Sequence, residues 1–169
     1  MEFDGMRPAI PDAIRDVGVV AIGRRLEAGR VAIIADALVA GGVRAFELTL
    51  NEPEGPVLAS ITELARRFSD THLLVGAGTV LTASQVDEAV SAGAKFLVSP
   101  GATRKLADAA AAGSAPLLPG VATASEAMAM AEMGHHVLKF FPAEPAGGVN
   151  YLKSLGAPPP PGNRTFGLS

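Results

Sequence analysis

Cysteine and tryptophan are absent from this 169-residue chain, and tyrosine occurs once. Without cysteine there is no disulfide scaffold, no thiolate nucleophile and no Cys-based zinc site. Aromatic residues make up only 5%, and 14 Lys+Arg stand against 17 Asp+Glu, for a formal net charge of −3. With no basic excess and few rings to stack on bases, nucleic acid is not an expected partner. No apolar stretch runs uninterrupted for the ~18 residues that a membrane-spanning helix needs. The first ten residues carry Glu2 and Asp4 and lack the basic start and apolar run of a signal peptide. The expectation is a soluble cytoplasmic protein with no membrane partner.

Apolar residues, by contrast, reach 49%, enough for one sizeable core, so a single domain over 1–169 is expected. Nineteen glycines and thirteen prolines are well above the usual share and lack a Gly-X-Y period, as suits many short connections. Short apolar runs alternate with longer helix-like stretches. The runs are VGVVAI (17–22), RAFELTL (44–50), HLLVG (72–76), KFLVS (95–99), PLLPG (116–120), HVLKFF (136–141) and RTFGLS (164–169). Helical stripes lie between them, such as Val31, Ile34, Ala35, Leu38 and Val39, or Val57, Ile61, Leu64 and Phe68. This alternation predicts βα units and a parallel sheet. Thr82, Thr103 and Thr123 are placed to cap helices, and Glu126 completes a capping box with Thr123. Gly41, Gly93, Gly113 and Gly134 are expected to be left-handed residues ending them. One unit is about 25 residues, and an eight-unit barrel needs roughly 200. The chain holds six units and the start of a seventh, so a (β/α)8 barrel of TIM type would be incomplete at this length. A complete doubly wound sheet is the competing architecture.

Parallel strands buried on both faces read as unbroken apolar runs, so a charge inside one is informative. Two strands carry such a charge. In Val137-Leu138-Lys139-Phe140-Phe141, alternation puts Val137, Lys139 and Phe141 on one face. An ammonium held among apolar groups loses solvation, so its pKa falls, and the neutral amine can attack a ketone to form a Schiff base. In Ala45-Phe46-Glu47-Leu48-Thr49, Glu47 shares a face with Ala45 and Thr49, opposite the bulky Phe46, Leu48 and Leu50. In a barrel that face is the lumen, where Glu47 could serve as general acid/base. The alternatives are a snorkelling lysine and a carboxylate neutralised by a nearby cation.

Gly76-Ala77-Gly78-Thr79 has Leu81 where a dinucleotide loop would have its third glycine. It reads instead as a place of close backbone approach, with the Thr79 hydroxyl at a strand's C-terminal end. Arg24 and Arg25, at the exit of the first strand, could hold a carboxylate or phosphate. His72, His135 and His136 have no metal-ligand spacing and read as flanking strand starts. Pro158 to Pro161 reads as a rigid loop.

The segments ALVAGGVRAFELTL, VGAGTVLTASQVDEAVSAGAKFLVSPGAT, PLLPGVATASEAM and LKFFPAEPAGGVNYLKSLGAP resemble the 2-keto-3-deoxy-6-phosphogluconate / 4-hydroxy-2-oxoglutarate aldolases, from about Val17 onward. The resemblance implies a (β/α)8 barrel, usually a homotrimer, working as a class I aldolase without cofactor or metal. Its substrate would be a 2-keto acid, cleaved to pyruvate and an aldehyde. It also implies Lys139 as the Schiff-base lysine, Glu47 as the general acid/base and Thr79 as a pyruvate contact. Gluconate-type members carry a carboxylate-binding arginine where this chain has Asn51; galactonate-type members have Leu-Asn there and an arginine ending the first strand, the place of Arg24. The family's Gly-Gly phosphate loop and eighth unit would follow Ser169. On that count the expectation is a C-terminally truncated barrel with two unpaired edges, poorly stable and weakly active. Two alternatives go with it: a non-enzymatic remnant or interaction protein, and a lyase for unphosphorylated 2-keto acids.

Overall fold

A computed structural model of the chain describes residues 8–50, 53–155 and, as backbone only, 165–168. Its elements are α1 (Asp12–Val17), β1 (Ala21–Gly23), α2 (Ala28–Ala40), β2 (Ala45–Thr49), α3 (Glu54–Arg67), β3 (Leu74–Gly78), α4 (Ala83–Ser91), β4 (Leu97–Val98), α5 (Arg104–Ala112), β5 (Leu117–Leu118), β6 (Gly120–Val121), α6 (Ala124–Glu132), β7 (Val137–Phe140), α7 (Gly148–Leu155) and β8 (Thr165–Leu168). Every strand pairing is parallel, with β1 to β5 in sequential order and β6-β7-β8 continuing them.

The break between β5 and β6 is one residue wide. Pro119 has no N–H to give to a ladder. Leu118 ends β5 by accepting from the Ser99 N–H at 3.3 Å, and the Pro119 carbonyl accepts from the Lys139 N–H at 2.9 Å. The PLLPG run is therefore a single strand position whose first half faces β4 and second half β7. The sheet is an arc of seven strand positions. Among the described residues, β1 pairs only with β2 and β8 only with β7, so the arc is not closed.

The two faces of the arc separate by alternation. Phe46, Leu48, Leu50, Val75, Leu97 and Leu117 point outward and pack with Val31 and Ala35 of α2, Ile61 and Leu64 of α3, Val86 of α4 and Leu106 of α5. Each fully buried Leu or Ile there contributes about 1.5–3 kcal/mol. Inward lie Ala45, Phe96, Val98 and Leu118, with Ile14 of α1, and with Ile10, Val20, Leu74 and Val137 packed against them. Ala45, Leu74 and Val137 are the first residues of their strands, so this cluster seals the N-terminal end of the arc.

Thr82, Thr103 and Thr123 cap α4, α5 and α6 through their hydroxyls, and Glu126 forms the capping box. Three expectations change. Val17 closes α1 instead of opening a strand: Gly18, at φ 69°, terminates that helix and delays β1 to Ala21. Gly41 (φ −81°) is not left-handed, because Gly42 (φ 83°) makes the reversal after α2. Gly113 (φ −87°) leaves α5 in an extended conformation, whereas Gly93 and Gly134 do have positive φ.

Candidate active site

The chemistry-bearing side chains gather on the inner face, beyond the apolar seal. Glu47 is the middle residue of β2 and only 2% exposed. Its register partner on β3 is Gly76, but a Cβ built on Gly76 would lie 2.4 Å from the Phe96 ring, so that space is taken. The Glu47 side chain instead crosses to the next inner position of β3. A Cβ on Gly78 would lie 1.7 Å from Glu47 Oε1. The close approach expected of the Gly-Ala-Gly run is present, and its purpose is room for a carboxylate.

Lys139 is the third residue of β7, half-buried, between Gly120 on β6 and Gly167 on β8. Both strand neighbours are glycines, so the lysine stands beside bare backbone. Its Nζ lies 5.1 Å from the centroid of the Phe141 ring, a cation–π contact on the shared face.

Glu47, Lys139 and Arg24 act on one another electrostatically. Burial pushes the Glu47 carboxyl above the usual range, while the positive charges of Lys139 and Arg24 pull it partly back. Burial pushes the Lys139 ammonium below the usual lysine range; the Glu47 charge opposes that, and the Arg24 charge adds to it. In both groups desolvation is the largest cause, so the pair is biased toward the neutral acid and the neutral amine. A free amine is the form that attacks a ketone, and a carboxyl with a raised pKa can take up a proton and return it.

Arg24 follows β1 directly and is solvent-exposed. The residue before it is tied down, because Thr49 Oγ1 donates to the Gly23 carbonyl at 3.3 Å. Arg25 is exposed as well and has φ 53°. Thr79 stands at the C-terminal end of β3, half-buried, with φ 59°. A β-branched residue in the left-handed region costs about 1–3 kcal/mol and is held there only by its surroundings. Asn51 lies outside the described residues, as does the Pro158–Pro161 run.

One stay of this site carries a sequence signal that the Thr82 cap alone does not exploit. Gln85 stands three residues after Thr82, the capping-box spacing. Its Oε1 accepts from the N–H groups of Leu81 (2.6 Å) and Thr82 (3.1 Å), and its Nε2 donates to Glu54 Oε1 at 2.6 Å. The loop after β3 is thereby fastened to the start of α3. The Phe96 ring under Gly76 and the two glycines flanking Lys139 had no such signal, since they depend on strand register. Among the described residues, no three His, Asp or Glu side chains are grouped so as to hold a metal ion. No described helix is long and apolar enough to cross a membrane.

Residues 10–161 match the family model described as KDPG and KHG aldolase. A 125-residue segment is 45% identical to the 2-dehydro-3-deoxy-phosphogluconate aldolase of Dickeya dadantii, covering 74% of this chain and 57% of that protein. The KHG/KDPG aldolase of Escherichia coli is 44% identical over the same length, with the same coverage. A crystal structure of Legionella pneumophila KDPG aldolase, with pyruvate captured at low pH as a covalent carbinolamine, matches with a TM-score of 0.79 at 39% identity. That match covers 87% of this chain and 68% of the other. The chain thus spans little more than half the length of the curated relatives it matches. The family model takes in most of the chain and the solved relative shares its parallel α/β arc: the chain belongs to the KDPG and KHG aldolase family.

Proposed function

We propose that this chain carries class I aldolase chemistry, cleaving a 2-keto-3-deoxy-6-phospho-sugar acid or 4-hydroxy-2-oxoglutarate to pyruvate and an aldehyde. The observation that carries the reading is the pair of opposed charges on the inner face, Lys139 and Glu47, both shifted by burial toward their neutral forms. The relatives' names supply the substrate class, and the solved relative's covalent carbinolamine is the adduct such a lysine forms.

In this reading the Lys139 amine attacks the C2 carbonyl, and the carbinolamine takes up a proton and loses water to give an iminium. The Glu47 carboxylate takes the proton of the C4 hydroxyl. The C3–C4 bond then breaks, its electron pair moves into the iminium to form an enamine, and the aldehyde departs. Glu47 returns the proton to C3, and water hydrolyses the pyruvate iminium to free the lysine. The Arg24 guanidinium holds the substrate carboxylate, and Thr79 and Asn51 contact the same end of the molecule. Every step is carried by protons and by the imine nitrogen, so none draws on a metal or cofactor. The chain acts as a homotrimer; exposed Ile33 on α2 and Met128 on α6 are apolar surface open to such a contact.

Borohydride reduction in the presence of pyruvate tests the reading. A mass adduct mapped to Lys139, with turnover of at least one of the two substrate types, is the expected result. A chain that stays unmodified, or one labelled at another lysine, refutes it. Turnover of 4-hydroxy-2-oxoglutarate alone narrows the substrate to unphosphorylated 2-keto acids.

A further inference from the structure

The inner face of β3 carries no side chain at its last two positions, Gly76 and Gly78, and the two glycines meet different neighbours. A Cβ on Gly76 would lie 2.4–2.6 Å from three carbons of the fully buried Phe96 ring. A Cβ on Gly78 would lie 1.7 Å from Glu47 Oε1, 2.4 Å from its Cδ and 2.6 Å from its Cγ. In register, Glu47 faces Gly76 and Thr49 faces Gly78. The Glu47 side chain therefore does not lie opposite its own partner. It leans one pleat toward the C-terminal ends of the strands, because the Phe96 ring fills the nearer space and Gly78 leaves the farther one empty.

We propose that Gly78 is a positioning residue for the Glu47 carboxyl, and that Phe96, wedged over Gly76, supplies the other half of the device. Together they fix the direction in which the carboxyl points along β2. The lean takes it away from the apolar seal and toward the end of the arc where Arg24 and Thr79 stand. The inference rests on the aldolase reading of Glu47 and adds to it the reason the proton carrier has one orientation. Gly78 supplies no group to the chemistry and acts only through Glu47.

An alanine at 78 would force the carboxyl to retreat by about an ångström or more, since non-bonded carbon and oxygen do not approach far below ~3 Å. Folding bears part of the cost, because Glu47 is buried and the Phe96 ring already fills the nearer space. For proton transfer the retreat is costly, since a misplacement of this size lowers rates on the order of 100-fold.

The test compares four chains: the parent, Gly78→Ala, Glu47→Ala and the double variant. Each is trapped with pyruvate and borohydride, and each is assayed for exchange of the pyruvate methyl protons with deuterated water across pH. In Gly78→Ala the Lys139 adduct still forms, because Lys139 lies on β7. Proton exchange falls about 100-fold, and the limb of its pH profile assigned to the carboxyl shifts. In the double variant no carboxyl is left to displace, so its exchange stays within about threefold of Glu47→Ala alone. Should Gly78→Ala fail to fold, that last comparison decides alone: a double variant about tenfold or more below Glu47→Ala overturns the proposal. Exchange in Gly78→Ala within about threefold of the parent overturns it as well. A parent chain that forms no adduct overturns the aldolase reading and this inference with it, whereas an adduct in the parent with unaffected Gly78→Ala exchange removes this inference only.

Discussion

Gly76→Ala measures how tightly the inner face is filled. The new methyl would sit 2.4, 2.5 and 2.6 Å from Cζ, Cε2 and Cε1 of Phe96. Carbon pairs rest at about 3.5–4.0 Å, so the ring must withdraw by roughly an ångström. It has nowhere to go, being 0% exposed and packed in the cluster of Ala45, Val98 and Leu118. Overpacking of this kind costs about 1–3 kcal/mol. Alanine also restricts the unfolded chain, which returns about 0.4–1 kcal/mol. The expected net loss is about 1–2 kcal/mol. Phe96→Leu alone also destabilises, by less than the ~3–5 kcal/mol of a full Phe→Ala truncation. In the double variant the smaller side chain makes room for the methyl, so the two losses do not add. Their coupling should favour the pair by about 1–3 kcal/mol. Urea unfolding of the four chains provides the cycle, with m-values compared to check that the unfolded states match. Strict additivity within about 0.5 kcal/mol would refute the packing argument, as would a Gly76→Ala chain as stable as the parent.

Two further outcomes follow from the charges. Arg24→Met removes a cation that lowers the pKa of Lys139, so the onset of borohydride-trapped adduct should move to higher pH; an onset that stays put or moves lower contradicts the assigned electrostatics. Glu47 titrates above its unfolded value, so its contribution to stability is complete below the ordinary carboxylate pKa and is lost as pH rises through the raised one. Glu47→Gln removes that loss. The stability of the variant relative to the parent should therefore climb across that window, and urea midpoints with a pH-independent difference would rule it out.

The strands were legible because a parallel strand covered on both faces has to be apolar throughout, and seven such runs stand out. The same rule exposed Glu47 and Lys139, since a charge in such a run has no bland explanation that costs nothing. Capping threonines were legible because their chemistry is local. Val17 misled because a β-branched residue in an apolar run looks like a strand start, while Gly18 decides otherwise through its backbone angle. PLLPG looked like one strand; only the absence of a Pro119 N–H splits its pairing between β4 and β7. Adjacent glycines cannot be told apart by propensity, which is why Gly42 and not Gly41 makes the reversal. The lean of Glu47 over Gly78 was beyond reading along the chain. It arises from residues on three strands whose stagger is set by pairing.

The apolar seal at the N-terminal end has a consequence for traffic. With Ile14, Ala45, Phe96, Val98 and Leu118 packed across it, that end offers no passage to a polar solute. A polar molecule reaching Lys139 is therefore served from the opposite rim or from the open side of the arc beside β8. Under the proposed chemistry the lysine tethers the pyruvate moiety, and no bond holds the aldehyde once C3–C4 has broken. Departure is then ordered by that tether: the aldehyde leaves first, and pyruvate follows only when water has hydrolysed the iminium. In the synthetic direction the same queue makes pyruvate the first to bind and the aldehyde the second.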